Sequence, residues 1–186
     1  MFQIIDDVIP KPYQDELENI LFNREFIEIT KPVSESPVDG VIGHVHWLYR
    51  NNIKNEYFYL IENLFEEICK KSGYKKDNLY CARTFLQEQS NLETYSYIPY
   101  LHIDLIIPHV VFLYYVTDAD GETLLVNKKY ESGNPQYIEP NMDWEVLKAV
   151  HPKKGRVLIF DGAYYHTSGI SKKGVRCAIN FNVLVD

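Results

Sequence analysis

Two segments of the chain carry apolar residues at helical spacing. Residues 2–9 are largely apolar and predict a short strand, after which Pro12 suits the first turn of a helix. A second, clearer helix follows Asn55, a good N-cap residue, and ends at Gly73, a good C-terminal stop. The apolar positions that define the two helices are Leu17, Ile20 and Leu21 in the first and Phe58, Ile61, Leu64, Phe65 and Ile68 in the second.

From residue 79 onward the pattern changes to short runs of β-branched and aromatic residues separated by turn residues. Many short strands after two helices predict an all-β sandwich or barrel with helices packed on one side. The predicted strands are Leu79–Glu88, Tyr100–Asp104, His109–Thr117, Thr123–Asn127, Arg156–Asp161 and Val175–Val185.

Two segments show neither the helical spacing nor the strand pattern. Residues 30–43 are rich in proline, glycine and small polar residues, which predicts a loop and a candidate lid. Residues 128–148 interrupt the strands, with a candidate helical turn near Trp144–Leu147. Loops on a rigid scaffold often carry function, so we expect loop 30–50 and insertion 128–148 to frame a substrate opening.

The composition is that of one soluble domain of 186 residues, with helical support in residues 1–80 and a β core in residues 80–186. The net charge of −7 argues against a general nucleic-acid binder. No apolar run approaches the length of a membrane span, and no signal-peptide pattern opens the chain. Three cysteines without CxxC spacing lie in apolar patterns, which predicts buried free thiols and a cytoplasmic location. They are Cys69, Cys81 and Cys177.

The candidate chemistry centres on His102-Ile103-Asp104. Side chains at i and i+2 of a strand share a face, so His102 and Asp104 would lie side by side. An imidazole and a carboxylate are two of the three ligands of the 2-His-1-carboxylate facial triad of non-haem Fe(II) oxygenases. His166 follows a predicted strand far along the chain and is the candidate third ligand.

Arg176, ten positions after His166, is the candidate anion-binding residue. A guanidinium binds a carboxylate through two parallel hydrogen bonds and stays charged at any working pH. In a dry pocket it would hold the distal carboxylate of a dicarboxylate. Alternation along this last strand separates a polar from an apolar face. The first face carries Arg176, Ala178, Asn180 and Asn182, and the second carries Val175, Cys177, Ile179, Phe181 and Val183.

Other histidines have less specific contexts. His44 and His46 also share the i, i+2 spacing, but no carboxylate accompanies them, and we interpret them as surface or substrate-edge residues. His109 and His151 are interpreted as structural histidines.

Over roughly residues 95–183, the chain resembles 2-oxoglutarate/Fe(II)-dependent oxygenases of the prolyl-4-hydroxylase-like group. The order of the motifs makes the resemblance specific, whereas the HxD motif alone would not. The matching motifs are His102–Asp104, Tyr114-Tyr115-Val116, Asp120-Gly121-Glu122-Thr123, Gly155–Asp161, His166 and Arg176.

The resemblance implies a double-stranded β-helix (jelly roll) with the N-terminal helices packed on its larger sheet. It implies that His102, Asp104 and His166 ligate Fe(II), and that Arg176 and Tyr115 bind the distal carboxylate of 2-oxoglutarate. The implied activity is a dioxygenase that uses O2, hydroxylates its substrate and releases succinate and CO2, with ascorbate as a candidate reductant. A peptidyl proline or another protein side chain is the favoured substrate, and a small metabolite comes next.

Two positions depart from the family pattern. Asp120 stands where the family often has a glycine, and Ala178 stands where it often has a serine. Loss of that hydroxyl is expected to weaken co-substrate binding unless Asn180 or Tyr115 offsets it. Weaker candidates for lining the substrate opening are Arg83, Gln87, Tyr97 and Tyr100.

Two alternatives remain open on the sequence. One is a cupin-like metal-binding jelly roll without 2-oxoglutarate, which would not need Arg176. The other is a non-catalytic binding module with the same fold. The sequence does not indicate an oligomeric state.

Overall fold

A computed structural model of the chain describes residues 2–29, 31–32, 43–87, 101–139 and 143–185. These residues form two antiparallel sheets with helices on one side. The helices are α1 (Lys11–Leu21), α2 (Arg24–Ile29) and α3 (Phe58–Ser72), followed by a short 3-10 helix (Lys76–Asn78). The strands are β1 (Phe2–Ile5), β2 (Lys31–Pro32), β3 (Gly43–Arg50), β4 (Ile53–Lys54), β5 (Leu79–Gln87), β6 (Leu101–His102), β7 (His109–Tyr115), β8 (Thr123–Lys129), β9 (Tyr137–Ile138), β10 (Val146–Val150), β11 (Val157–Asp161), β12 (Tyr164–Ser168) and β13 (Arg176–Leu184).

The strands interleave between a larger and a smaller sheet. The larger sheet has the order β1-β11-β7-β13-β5-β3-β2, with β4 paired to β3, and the smaller sheet has the order β10-β8-β12-β6-β9. Strands β5 to β8, and again β11 to β13, therefore alternate between the two sheets along the chain. This alternation is the topology of a double-stranded β-helix, which confirms the predicted jelly-roll fold.

The helices cover the outer face of the larger sheet. Leu17 of α1 and Phe65 of α3 belong to one buried apolar cluster with Phe112 of β7 and Phe181 of β13. The Phe65 and Phe181 rings stack with their centroids 5.1 Å apart. Burial of these large side chains is the main stabilising contribution of the helical layer.

Helix α3 has the boundaries that the sequence predicts. The Asn55 side-chain oxygen accepts hydrogen bonds from the backbone amides of Tyr57 and Phe58 at 2.9 and 3.0 Å. Its amide nitrogen donates to the Trp47 carbonyl oxygen at 2.8 Å. At the other end, Gly73 adopts the left-handed conformation, with φ of +83°. Asn55 therefore both caps α3 and ties it to strand β3.

The prediction of a loop-like region around residues 43–50 is wrong, because these residues form strand β3 of the larger sheet. Val45 and Trp47 face the space between the sheets, while His46 lies on the opposite face against Phe26. The two-residue period is present, but the polar His46 occupies a position that packs against the helices. Residues 33–42 of the predicted lid lie outside the described residues.

The predicted helical turn near Trp144–Leu147 is also wrong. Residues Val146–Val150 form strand β10, which pairs with β8 at the edge of the smaller sheet. Trp144 and Leu147 have helical spacing, but Val146 and Val150 are β-branched and the edge of β8 is available for pairing. The sequence reading also missed α2, β2, β4, β9 and β12.

The predicted buried thiols are confirmed, since Cys69, Cys81 and Cys177 are all free and buried. Among the described residues, none of the helices has the length and apolar character needed to cross a membrane.

We expect Asn55→Ala to lower the free energy of unfolding by about 1 to 2 kcal/mol, because it removes the cap of α3 and leaves the Trp47 carbonyl unpaired. Asn55→Asp keeps the oxygen that accepts from the two amides but lacks the nitrogen that donates to Trp47. Its free energy of unfolding should therefore fall by less than that of Asn55→Ala. Urea denaturation followed by circular dichroism measures both. Equal midpoints for the wild type and Asn55→Ala would contradict the proposed cap.

Candidate functional site

Three potential metal ligands meet between the two sheets. His102 at the end of β6 lies directly opposite His166 of β12 in the strand pairing, and Asp104 lies just beyond β6. Asp104 Oδ1 is 4.0 Å from His102 Nε2, and Oδ2 is 3.9 Å from His166 Nε2. Of the described histidine, cysteine and acidic residues, these three form a group whose ligand atoms lie within 4.8 Å of one another.

The His166 ring is held in the tautomer that a metal requires. Its Nδ1 donates to the Tyr164 carbonyl oxygen at 3.0 Å, so Nε2 carries the lone pair that faces His102 and Asp104. Burial lowers the pKa of His166, although the nearby Asp104 opposes this effect. The neutral form is the one that can donate a lone pair to a cation.

Asp104 is a buried carboxylate whose two oxygens are both hydrogen-bonded. Its side chain is 1% exposed, and Oδ1 accepts from Arg83 Nη2 at 2.6 Å while Oδ2 accepts from Asn180 Nδ2 at 2.9 Å. Burial alone would raise the pKa of Asp104, but Arg83, the two histidines and Asn180 hold it well below its usual range. Asp104 is therefore ionised at neutral pH.

The backbone of the motif is held from the opposite side by Gln136. Its side-chain amide donates to the carbonyl oxygens of Ile103 and Asp104 at 3.0 and 3.1 Å. The Ile103 amide in turn donates to the Gln136 carbonyl oxygen at 3.1 Å. Next to this clamp, the Tyr137 ring stacks on His102 with centroids 5.9 Å apart. These contacts fix Asp104 although it lies outside a regular strand.

Arg176 has a buried guanidinium, and the described residues accept hydrogen bonds from only some of its N–H groups. It is 3% exposed, and it donates from Nε to the Gly121 carbonyl oxygen at 3.1 Å and from Nη2 to Thr123 Oγ1 at 2.9 Å. Among the described residues, no carboxylate pairs with it. Burial lowers its pKa, but a guanidinium remains charged in proteins. The site thus carries a buried positive charge without an anion.

The hydroxyl of Tyr115 is directed at Thr123. It donates to Thr123 Oγ1 at 2.7 Å, so this oxygen accepts from both Tyr115 and Arg176. Thr123 then has its own hydroxyl proton available for an acceptor in the cavity, which it lines. The sequence reading missed this role of Thr123, although strand alternation from Leu125, whose side chain points between the sheets, would have placed it there.

The triad and Arg176 line one cavity of about 560 Å³ between the sheets. Its wall combines apolar side chains from both sheets with a small number of polar groups, which is typical of ligand sites. The apolar lining includes Val45, Phe85, Val111, Leu113 and Phe160, and the polar lining includes Arg50, Asn51, Arg83, Thr123, Gln136 and Asn180.

Both departures from the family pattern have structural explanations. The Asp120 carboxylate accepts hydrogen bonds from the Ser171 hydroxyl and from the amides of Lys172 and Lys173, so it holds the turn that leads into β13. Ala178 is buried beside Tyr115 in an apolar cluster. A serine hydroxyl is absent there, and the polar contacts to Arg176 come from the β8 side of the site.

The other sequence candidates have varied positions. Arg83 lines the cavity and contacts Asp104, whereas Gln87 is buried and is not part of the cavity wall formed by the described residues. Tyr97 and Tyr100 lie outside the described residues.

His46, His109 and His151 do not belong to the three-ligand group of the described residues. His46 packs against Tyr57 and bonds to Asn55 on the helix side of the larger sheet, instead of lying at a substrate edge. His109 is buried with its Nδ1 2.8 Å from the Ile107 carbonyl oxygen, and exposed His151 pairs with Glu122 at 3.0 Å.

No protein-family model matches the sequence, and a search of curated proteins gave no match. Solved structures do match. The epimerase SnoN, crystallised with Fe3+, alpha-ketoglutarate and nogalamycin RO, superposes with a TM-score of 0.68 at 11% identity over 98% of this chain and 78% of SnoN. A prolyl hydroxylase from Trichoplax adhaerens, in complex with a hypoxia-inducible factor peptide, superposes with a TM-score of 0.64. The sequence identity is 17%, over 98% of this chain and 83% of that chain.

A prolyl-4-hydroxylase from Pseudomonas putida matches with a TM-score of 0.57 at 12% identity, over 100% of this chain and 92% of that chain. At these identities the likeness establishes the fold. The chain therefore has the jelly-roll fold of these two prolyl hydroxylases and of SnoN.

We expect Gly121→Ala to destabilise the protein by about 2 kcal/mol, because overpacking forces the backbone to move. A Cβ atom at Gly121 would lie 2.6 Å from the Gly169 carbonyl oxygen and 3.0 Å from the Ser171 amide nitrogen. Gly169→Ala is the matched control, since its nearest contact would be 3.4 Å. Urea midpoints measure both variants, and a Gly121→Ala protein as stable as the control would contradict the close approach.

Proposed function

We propose that this protein is an Fe(II)- and 2-oxoglutarate-dependent oxygenase. The observation that carries the proposal is the presence, in one cavity, of a three-ligand cluster and a buried guanidinium that pairs with no carboxylate of the described residues. A metal ligand set alone would fit many binding proteins. A cation site together with a separate site for a carboxylate fits a co-substrate that occupies both.

His102, Asp104 and His166 would hold the Fe(II). Two imidazoles and one carboxylate are the donor set of non-haem iron sites, and three protein ligands leave positions for small molecules. The ionised Asp104 and the Nε2 lone pair of His166 fit this requirement. When bound, the iron and 2-oxoglutarate supply an O2-dependent oxidation that yields succinate, CO2 and a hydroxylated product.

Arg176 and Thr123 would bind the distal carboxylate of 2-oxoglutarate. Two of the guanidinium's five N–H donors are used by Gly121 and Thr123, which leaves donors for an anion. A buried charge is costly until it is paired, so a carboxylate is favoured there. The Tyr115 hydroxyl would act by orienting Thr123, and the direct contact between Tyr115 and the carboxylate stays a prediction.

The remaining lining residues would exclude water and orient the reactants. Val111, Leu113 and Phe160 give the cavity an apolar wall on the inner face of the larger sheet. Such a wall strengthens the electrostatic contacts of the site and protects reactive species from side reactions.

We propose a peptidyl side chain, with proline favoured, or a small metabolite as the substrate. The peptide bound to the Trichoplax prolyl hydroxylase and the nogalamycin compound bound to SnoN support these two classes. A cytoplasmic location belongs to the same proposal and is supported by the three buried free thiols.

Anaerobic addition of Fe(II) and 2-oxoglutarate to metal-free protein is expected to produce the weak visible charge-transfer band of the chelate. His166→Ala should abolish the band, because it removes a buried ligand nitrogen. His151→Ala is the matched control and should keep it, because His151 is exposed and pairs with Glu122. Absence of the band in protein that binds Fe(II) would favour the cupin-like alternative, and absence of metal binding would favour a non-catalytic binding module.

Arg176→Ala is expected to weaken 2-oxoglutarate binding by about 100-fold, since truncating one partner of a buried charge pair costs roughly 3 kcal/mol. Mn(II) affinity, measured by calorimetry, should be unchanged and shows that the variant is folded. Tyr115→Phe should have a smaller effect if its hydroxyl acts through Thr123. Unchanged 2-oxoglutarate affinity in Arg176→Ala would remove the assigned role of Arg176.

A further inference from the structure

The charges that line the cavity differ in sign from the chain as a whole. The protein carries a net charge of −7, but the described lining residues include Arg50, Arg83 and Arg176 against a single carboxylate, Asp104. Arg83 is paired with that carboxylate, and Arg176 lies deep in the site with its two neutral oxygen partners. Arg50 is therefore the one of these three arginines for which neither a described residue nor the proposed co-substrate provides a negatively charged partner.

Arg50 is a positioned side chain, although it is exposed. Its guanidinium carbon lies 4.5 Å from the centroid of the Trp47 ring, and Arg83 approaches the same ring at 5.3 Å. Stacking on an aromatic face leaves the N–H edge of a guanidinium free for hydrogen bonds. Among the described residues, no carboxylate pairs with Arg50.

The backbone that carries Arg50 is a tight hairpin. Arg50 pairs with Ile53 across a two-residue turn in which Asn51 and Asn52 have φ of 53° and 62°. The Tyr49 hydroxyl donates to the Asn52 side-chain oxygen at 3.0 Å and closes the turn. Two successive residues at positive φ form the turn type that matches strand twist, so the hairpin holds the backbone of Arg50 and Asn51 at the cavity.

Two exposed aromatic residues also line the cavity. Tyr80 and Tyr137 both line it and are 44% and 61% exposed. Their rings offer apolar contact area at low entropic cost, and their hydroxyls tolerate water. A ligand bound in the cavity would therefore find apolar contact area on these tyrosine rings.

Charge balance points to the sign of that ligand. With a divalent cation, the 2-oxoglutarate dianion, Asp104, Arg83 and Arg176 in place, the site keeps one net positive charge, and Arg50 adds another. We propose that the oxidised substrate is a carboxylate-bearing molecule with an apolar body, whose carboxylate binds Arg50 and Asn51. This inference rests on the proposed function and names the substrate class of the same site.

The test uses the fluorescence of Trp47, on which Arg50 stacks. The chain has two tryptophans, so Trp144→Phe leaves Trp47 as the reporter. Protein loaded anaerobically with Mn(II) and 2-oxoglutarate is titrated with hexanoate and with its neutral amide, hexanamide. Hexanoate should bind about fivefold more tightly than hexanamide, which is the scale of one solvent-exposed ion pair.

Arg50→Gln should abolish the preference for the acid, and Arg50→Lys should keep part of it because the charge remains without the planar fork. Lys70→Gln is the matched control, since it removes one positive charge from the exposed face of helix α3 and should keep the full preference. Equal binding of acid and amide, or an acid preference that survives Arg50→Gln, would overturn the assignment. The charge-transfer band is measured separately, so failure of the oxygenase proposal is distinguishable from failure of this one.

Discussion

The site depends on one buried negative charge. Asp104 has a side chain that is 1% exposed, and an uncompensated carboxylate at that depth would take up a proton or unfold the structure. Arg83 of β5 and Asn180 of β13 each bind one of its oxygens, and His102 and His166 face it from the smaller sheet. These partners come from four strands in two sheets, so the buried carboxylate has all of them only when the jelly roll has closed.

The buried positive charge at Arg176 has partners of a different kind from those of Asp104. Asp104 receives a guanidinium, an amide and two imidazoles, whereas Arg176 receives a carbonyl and a hydroxyl oxygen. Neutral acceptors compensate a buried guanidinium less well than an anion does. Among the described residues, Asp104 therefore has a cationic partner and Arg176 has no anionic one. In the proposed function, a carboxylate of the co-substrate would be the partner of Arg176. This asymmetry supports a co-substrate with a carboxylate more directly than the ligand triad does.

Strand alternation placed His102 beside Asp104, and the family resemblance added the distant His166 and Arg176, but neither predicted which other side chains contact them across strands. His102 and Asp104 are two positions apart, and the i, i+2 rule placed them together even though the regular strand ends at His102. The contacts of Arg83 with Asp104 and of Thr123 with Arg176 join strands that lie far apart in the chain. No periodicity encodes such meetings, since they follow from the order of strands in the sheets.

Sequence patterns also failed to predict strand β3. In β3, one position that faces the helices is occupied by His46, so polarity does not match burial there, and the alternation of apolar and polar residues is harder to see in the sequence. The resulting strand supplies Trp47 and Arg50 to the cavity. A protein of net charge −7 repels anions at long range, but salt screens charges beyond about 8 Å at physiological ionic strength. Selection of the proposed acidic substrate would then depend on the short-range contacts of Arg50, which ends β3 and lines the cavity, and not on the overall charge of the chain.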